Sequence, residues 1–421
     1  MSNVFMSSYL NLSEEVARTF LATSIFPSSF TAAAEEFICG DRENMYLTEL
    51  VRRGLVTYDP TSNRYLLHDE VRDFALPLAR ERTDLEEISR RHAVYYKDKF
   101  HEMTKLYRSG GDKALKAYQL FGQEWDNFDR GFTWAEAHID HPDPAVAGLC
   151  SAYTSGGVEL MRLYLQSMRD RQWLESSLRS AQKIGNRLAE GKHLLELGES
   201  YQFKHELKEA LEYLNRAVLV FQELVPAEML KGLPKFLIDV LPDDLIDVRR
   251  QESRAYGHIG YVYSAQGDIE SAIKYLKLRL DIAKSINDNR GVSIALHSLG
   301  DEYFRMEGEA NKREAIKLYR KALRLARKEE YILHEGRVLS SLGFAYAKTG
   351  NRENGLKVER QALNLSRQIG DLIGEAHTYG RMALIYREAA LENANKAKDI
   401  YEMHSPGDYK NMDNIVRKLA A

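Results

Sequence analysis

A glycine and lysine string at residues 185–193, GNRLAEGKH, is the nearest match in the sequence to a phosphate-binding pattern. A phosphate-binding loop needs G-x-x-x-x-G-K-[ST] between a strand and a helix, because its backbone N–H groups and lysine hold the phosphates. Here the glycine spacing differs and a histidine follows the lysine. We therefore interpret 185–193 as a loop between helices, and the sequence carries no phosphate-binding loop.

Twelve histidines and two cysteines could in principle hold a metal or act in catalysis. No histidine pair has zinc-site spacing with a third ligand, and there is no G-x-S-x-G motif. Cys39 and Cys150 lie too far apart to suggest a ligand pair, and so few cysteines are typical of a reducing cytoplasm. His92 and His101 are predicted to lie on the solvated face of a helix. We expect a protein that is not an enzyme and that holds no metal or cofactor of its own.

The charges of the 421 residues nearly balance, since 59 Lys and Arg oppose 62 Asp and Glu. No general basic surplus is available to neutralise a nucleic-acid backbone. The sequence has no apolar run of eighteen residues, and its first residues do not form a secretion signal. We expect a cytoplasmic protein that does not bind membranes.

Nine prolines divide the sequence. Between Pro144 and Pro406 the prolines are confined to one short stretch, and the rest is rich in Ala, Leu, Glu, Lys and Arg. Proline costs a helix interior about 3 kcal/mol, so long stretches without it predict helices. We expect the C-terminal two-thirds to be almost wholly α-helical.

One sequence pattern recurs through this region. A small residue is followed three positions later by a tyrosine, then by a turn and a second helix centred on alanine. Successive small residues stand 62, 40, 43 and 40 positions apart, and the first interval contains an insertion about half a period long. The small residues are Gly198, Gly260, Gly300, Gly343 and Ala383, and the tyrosines are Tyr201, Tyr263, Tyr303, Tyr346 and Tyr386.

The small residue lets two antiparallel helices approach closely, and one such pair cannot bury its apolar face alone. Neighbouring pairs must therefore stack into a superhelix with a concave wall. The pattern resembles the tetratricopeptide repeat, in its longer variant, over residues 150–405. The resemblance implies a mostly α fold with a right-handed α-α superhelix.

The first third follows a different pattern. SEEVARTF predicts a helix capped by Ser13, two further helices follow, and the third ends at Gly54. LVTYDPTSNRYLLH then alternates as two short strands around a turn. Three helices followed by a hairpin is the order of a winged helix.

This segment, from LATSIFPSSF to DEVRDFALPLA, resembles the winged helix that follows the nucleotide-binding core of STAND-type (NB-ARC- or NACHT-like) signalling ATPases. The next segment resembles their helical arm, with Glu124, Asn127 and Trp134 at its motif positions. In that family a hydrophobic-His-Asp triplet closes the wing, and its histidine contacts the β-phosphate of ADP. Leu67, His68 and Asp69 match the triplet, so the resemblance makes His68 a cofactor contact only if a separate P-loop ATPase domain docks.

A winged helix also suggests DNA binding through Arg52, Arg53 and Arg64. Residues 41–80, however, contain six Arg against seven Asp and Glu. DNA-binding modules collect basic side chains for backbone contacts before any base is read. DNA binding is therefore kept only as an alternative.

Tetratricopeptide arrays bind ligands through the first helix of each pair. Arginines at similar heights on the predicted face favour an acidic or carboxylate-bearing peptide, although a generic solvated face explains them equally well. The predicted partner-binding residues are Glu199, Gln202, Arg254, Tyr261, His297, Asp301, Arg305, Arg337, Phe344, Lys348, His377 and Arg387.

Four regions are expected: a winged helix (1–80), a helical arm (81–143), a tetratricopeptide superhelix (144–405) and a capping helix (406–421). The insertion at about 225–250 carries many apolar residues, which either pack on neighbouring repeats or form a partner-contact patch. We expect a non-enzymatic regulator or sensor module that binds a protein or peptide in the concavity. A peptide-binding adaptor without a switch role and a winged-helix DNA-binding regulator are the alternatives.

Overall fold

The structure, a computed structural model, describes residues 2–82, 84–109, 111–165, 169–226, 229, 238, 241–385, 390–404 and 406–420. The chain forms two compact units. One comprises residues 1–109 and 113–193, and the other comprises 194–421 with 110–112. Helices dominate both, as the sequence predicts. No described helix is long and apolar enough to cross a lipid bilayer.

The first unit contains short helices followed by two long ones. The predicted cap is present, because Ser13 Oγ accepts a hydrogen bond from the Val16 N–H at 3.4 Å. The helices are α1 (Ser2–Leu10), α2 (Glu14–Thr23), α3 (Ala32–Cys39), α4 (Met45–Arg52), α5 (Asp69–Arg80), α6 (Leu85–Arg108), α7 (Gly111–Ala137), α8 (Pro144–Ala147), α9 (Leu149–Thr154), α10 (Glu159–Leu165) and α11 (Arg169–Lys183).

The predicted hairpin lies between α4 and α5. Strands β1 (Thr57–Asp59) and β2 (Arg64–Leu66) pair antiparallel, with Thr57 opposite Leu66. Phe30, which precedes α3, adds an isolated antiparallel bridge to Tyr65. The winged-helix interpretation rests on this order of α2, α3, α4 and a hairpin.

Aromatic side chains fill the core between α6, α7, α9 and α11. The Phe132 and Trp173 rings stack with centroids 3.9 Å apart, and the buried Tyr153 hydroxyl donates to the Ala93 carbonyl at 2.8 Å. A Cβ on Gly131 would lie 2.1 Å from that hydroxyl, so the bare Cα leaves room for it. Helices α8 to α11, which the sequence analysis assigned to the superhelix, thus belong to the first compact unit.

The prediction of solvated histidines on α6 is wrong for His92. Its side chain is 1% exposed and packs against Phe26 and Tyr96, and burial lowers its pKa to about 3. His101 is half-buried, with Nε2 3.0 Å from the Tyr153 carbonyl oxygen. Both face elements that pack on α6 from distant parts of the sequence, which helix periodicity alone does not reveal.

Helix pairs of the repeat make up the second unit, which begins within the first helix of the first pair. The first helices of the pairs are α12 (Arg187–Phe203), α14 (Asp243–Ala265), α16 (Asn289–Arg305), α18 (Ile332–Lys348) and α20 (Leu372–Ile385). Their second helices are α13 (Leu207–Leu224), α15 (Ile269–Ser285), α17 (Glu309–Lys328), α19 (Arg352–Ile369) and α21 (Ala390–His404). Helix α22 (Pro406–Ala420) follows.

Close approach at the small positions agrees with the repeat prediction. A Cβ on Gly260 would lie 2.9 Å from Leu276, and one on Gly300 would lie 2.6 Å from Tyr319. On Gly343 it would lie 2.9 Å from the backbone oxygen of Gly355. A side chain at these positions would push the two helices of a pair apart. The pairs stack as a tetratricopeptide superhelix, confirming the predicted fold class.

Most of the apolar insertion lies outside the described residues, including Leu230, Leu233, Phe236, Leu237 and Val240. Leu241, Leu245 and Ile246 are partly buried.

At the C-terminal end of the second unit, Met412 of α22 is buried against Tyr379 and Ala383 of the last pair. The helix predicted after residue 405 is therefore present and covers apolar side chains of α20.

Candidate functional site

The first helices of consecutive pairs lie side by side and form one wall, which we call the concave wall because arrays of this repeat form concave binding surfaces. Polar side chains join consecutive members across it. His258 of α14 bonds Gln202 of α12 at 3.0 Å, and His297 of α16 bonds Ser341 of α18 at 2.8 Å. Arg381 of α20 donates to the same Ser341 oxygen at 3.0 Å. Residues from different repeats thus meet on one surface.

At the α12 and α14 end, the wall is a closed ion-pair network. Arg254 donates to Glu199 at 2.8 Å, and His258 Nε2 lies 2.9 Å from the same carboxylate oxygen. Glu196 lies 3.6 Å from Arg254. Glu199, Gln202 and Arg254, which the sequence analysis named, are therefore brought together, and they satisfy one another.

Aromatic and imidazole rings line the middle of the wall. His297 packs edge-to-face on His334 and on Tyr319, whose hydroxyl donates to Asp301 at 2.7 Å. Burial lowers the pKa of His297 and lowers that of His334 to about 3. Both rings are neutral at physiological pH, so they offer hydrogen bonds rather than charge. Asp301 has one oxygen engaged by Tyr319.

Cations dominate the wall from α16 to α20. Arg305 and Lys348 are exposed at the C-terminal ends of α16 and α18. Arg305 bonds Ser264 and lies 3.6 Å from Glu302. The Lys348 ammonium lies 5.3 Å from the Phe344 ring. Arg337 is exposed and makes no hydrogen bond or ion pair within the described part of the chain.

Sequence reasoning missed Arg381, which completes this basic row (Arg305, Arg337, Lys348 and Arg381). Its guanidinium lies 5.8 Å from the Phe344 ring and bonds Ser341. The repeat spacing of 40 between the last two pairs places Arg381 at the register of Ser341, so that register was the available signal.

The remaining predicted wall residues are scattered. Tyr261 is 50% exposed on α14, and His377 is exposed on α20 beside the Tyr401 ring at 5.4 Å. Leu384, at the same register as Phe344 and 44% exposed, was not singled out from the sequence. Arg387 lies outside the described residues.

Behind the basic row lies a buried acid, Glu359 of α19. It is fully buried, and neither carboxylate oxygen has a hydrogen-bond partner within the described residues. Burial raises its pKa to about 8, although the Arg381 charge opposes the shift. At neutral pH this acid is mostly protonated, so it does not cancel the charge of the basic row.

His68 lies at the start of α5, directly after the hairpin. It is exposed, and its Nε2 lies 3.0 Å from Thr57 Oγ1. The side chain is therefore reachable from outside the first unit. Among the described residues, no group of three or more His, Cys, Asp or Glu side chains could hold a metal ion.

Arg64, which DNA binding would use, is not on the surface. Its guanidinium is buried, bonds Glu124 at 2.5 Å and donates to Ser29. Arg52 and Arg53 both pair with Glu49. The arm residue Asn127 donates to the Ser29 carbonyl at 3.0 Å, and Trp134 stacks on His138 with centroids 4.1 Å apart.

Comparison with known proteins supports the repeat. A family model of the tetratricopeptide repeat matches residues 251–328, which span α15, α16, α17 and most of α14. Arrays of this repeat form extended concave binding surfaces. No curated protein matches the sequence.

Among solved structures, the chain is similar to a STAND protein with a tetratricopeptide repeat sensor from Pyrococcus horikoshii. The identity is 19% and the TM-score 0.56, covering 99% of this chain and 54% of that one. This chain thus spans about half the length of that structure. Aspartyl phosphate phosphatase F from Bacillus subtilis has 11% identity and a TM-score of 0.47, covering 77% of this chain and 93% of its own. A Rap protein complexed with competence and sporulation factor has 10% identity and a TM-score of 0.41, covering 78% and 98%. Only the first likeness bears on the fold.

Proposed function

We propose that this chain is a non-enzymatic sensor module that binds an acidic protein or peptide segment on the concave wall between α16 and α20. The observation that carries the proposal is the exposed Arg337 guanidinium, which has no partner within the described residues. Lys348 and Arg381 lie in the same section of the wall, while the acid behind them, Glu359, is mostly protonated at neutral pH.

A guanidinium without an internal partner is suited to a ligand carboxylate, because two parallel N–H groups match two carboxylate oxygens. The Phe344 ring and the exposed Leu384 side chain give apolar contact beside the cations. An extended acidic segment with one apolar side chain fits this combination. The α12 and α14 end, whose charges pair internally, contributes less binding energy.

The test selects peptides from a random display library on the full-length chain and measures their affinity by fluorescence anisotropy. We expect enrichment of acidic sequences and at least a tenfold loss of affinity in Arg337→Glu. Arg324→Glu reverses an exposed arginine on the second helix α17 and serves as the control. Enrichment of basic or uncharged peptides, or equal affinity of both variants, would contradict the proposal.

We further propose that the module works in a STAND-like signalling system in the cytoplasm, with a P-loop ATPase domain as a partner of the first unit. The likeness in fold to a STAND protein supports this role, and so does the exposure of His68 after the hairpin. The division at residues 80 and 405 belongs to the same proposal, whereas the first compact unit continues past residue 143 to residue 193. His68 would donate to a phosphate of the nucleotide held by the partner.

A pull-down with the full chain, analysed by mass spectrometry with and without ADP, tests this role. We expect a P-loop ATPase whose recovery rises with ADP, and a weaker ADP effect with His68→Ala. Recovery of peptide clients without any such ATPase would support the adaptor alternative instead. DNA binding has less support, since Arg64 is buried and paired.

A further inference from the structure

One second helix carries an arginine at a position where other second helices carry a small residue that packs against the first helix of the pair. In the second helices α13, α17 and α19 the equivalent residue is a fully buried alanine, but in α15 it is Arg279. Equivalent hydrogen bonds in two pairs establish this alignment. Ser293 donates to the Ala322 carbonyl at 2.8 Å, and Ser253 donates to the Arg279 carbonyl at 3.1 Å. The alanines are Ala217, Ala322 and Ala362.

A glycine on the facing helix accommodates this arginine. A Cβ on Gly257 of α14 would lie 2.3 Å from Arg279 Nη1 and 3.0 Å from its Cδ. The Arg279 side chain therefore crosses α14 at a bare Cα. In the next pair the position of Gly257 is occupied by His297, which faces the concave wall and contacts Ser341. The Arg279 guanidinium therefore lies near the concave wall, although Arg279 belongs to a second helix.

Nothing described in the structure neutralises this guanidinium. Its Nε is buried without a hydrogen-bond partner, and the group forms no ion pair with any described residue. The two acids whose charges reach it are engaged elsewhere: Glu199 by Arg254 and His258, and Asp288 by the N–H of Gly291. Burial, with a contribution from Arg254, lowers the pKa of Arg279 to about 10.

An unpaired, largely buried cation is costly, and an incoming anion removes that cost. We infer that Arg279, passing over Gly257, is the centre of an oxyanion site that takes a carboxylate or phosphate group, with Arg254 as the neighbouring cation. The site is separate from the basic row on which the proposed function depends. The anion site can therefore be tested independently of peptide binding at the basic row.

Thermal unfolding of the full chain tests the site in inorganic phosphate, acetate and chloride at equal ionic strength. We expect phosphate or acetate to raise the midpoint above its value in chloride, with a saturating dose response. A response to phosphate alone identifies a phosphate group, and a response to acetate identifies a carboxylate.

Two variants probe the site. Arg279→Ala installs the residue that the other repeats carry there, so it is expected to fold and to lose the anion response. Gly257→Ala keeps the arginine but displaces its flexible end, and we expect at least a tenfold weaker apparent affinity. Arg324→Ala, on the exposed face of α17, should respond like the parent. An unchanged response in either test variant, or no response in the parent, would overturn the inference.

Discussion

The Arg64 guanidinium lies 2.5 Å from the Glu124 carboxylate, and both side chains are less than a tenth exposed. Arg64 belongs to β2 and Glu124 to α7, so this ion pair connects the hairpin to the long helix. Asn127 Nδ2 donates to the other Glu124 oxygen at 3.0 Å, and Ser29 accepts from Arg64 at 2.7 Å. The hairpin is thus held by charge-assisted hydrogen bonds as well as by apolar packing.

Glu124→Gln is expected to lower the free energy of unfolding of the first unit by about 3 to 5 kcal/mol, because it leaves the Arg64 charge buried without a counter-charge. All three tryptophans, Trp125, Trp134 and Trp173, lie in the first unit, so tryptophan fluorescence during urea unfolding reports on it.

Glu87→Gln is the matched control. Glu87 pairs with Arg90 at 2.7 Å, but this pair is open to solvent, since the Arg90 and Glu87 side chains are 45% and 43% exposed. Its loss should change the free energy of unfolding by no more than about 1 kcal/mol. Equal effects of the two substitutions would mean that the Arg64–Glu124 pair does not stabilise the unit.

Two glycines of α18 should respond to alanine in opposite directions. Gly343→Ala places a Cβ against the backbone of α19 and should lower the free energy of unfolding by about 1 to 3 kcal/mol. A Cβ on Gly336 meets only ordinary contacts, the nearest at 3.7 Å, so Gly336→Ala should raise it by up to about 1 kcal/mol.

Urea unfolding followed by far-UV circular dichroism measures both variants, with tryptophan fluorescence recorded in parallel for the first unit. The fluorescence transition should stay unchanged. If Gly343→Ala is as stable as Gly336→Ala, the close approach of α18 and α19 is not required by the fold.

The stability of the first unit should depend on pH through Glu35. Burial raises the pKa of this carboxyl to about 8, although Asn44 donates to it at 2.8 Å. The folded protein keeps a proton that the unfolded chain releases above the ordinary Glu pKa. Stability from this group is therefore lost as the pH rises from about 5 to 8.

Glu35→Gln keeps the acceptor for Asn44 and removes the titration. The difference in urea midpoint between variant and parent, measured by tryptophan fluorescence, should grow in favour of the variant from pH 5 to pH 8. Glu36→Gln, at the exposed next position, controls for the loss of one carboxylate. A difference that is constant across this range would refute the assignment.

The repeat architecture could be predicted because its cause is local and recurs. Gly260, Gly300 and Gly343 stand at helix contacts that recur at nearly equal sequence intervals, and each recurrence strengthens the inference. The hairpin was also predictable, since alternation and turn residues lie within one short segment. Side-chain contacts between residues distant in sequence could not be predicted. The burial of Arg64 depends on Glu124, sixty residues further along.

The candidate site shows the same limit. The repeat register identified which residues of the first helices face the wall. It does not predict which hydrogen bonds or ion pairs their side chains form. Arg381 was missed because its equivalents, His258 and Ser341, carry no matching charge pattern. Arg279 belongs to a second helix, where the register predicts a small packing residue. Its effect on the wall depends on Gly257 of the facing helix, which no single repeat reveals.

Photo-crosslinking of a selected acidic peptide tests the central claim most directly, because it reports which face of the superhelix the ligand contacts. The crosslinker p-benzoylphenylalanine replaces Leu384, exposed on the first helix α20, or Leu219, exposed on the second helix α13. We predict crosslinks from Leu384→p-benzoylphenylalanine that Arg337→Glu abolishes, and none from Leu219→p-benzoylphenylalanine. Crosslinks from position 219 that survive Arg337→Glu, with none from position 384, would contradict binding on the concave wall.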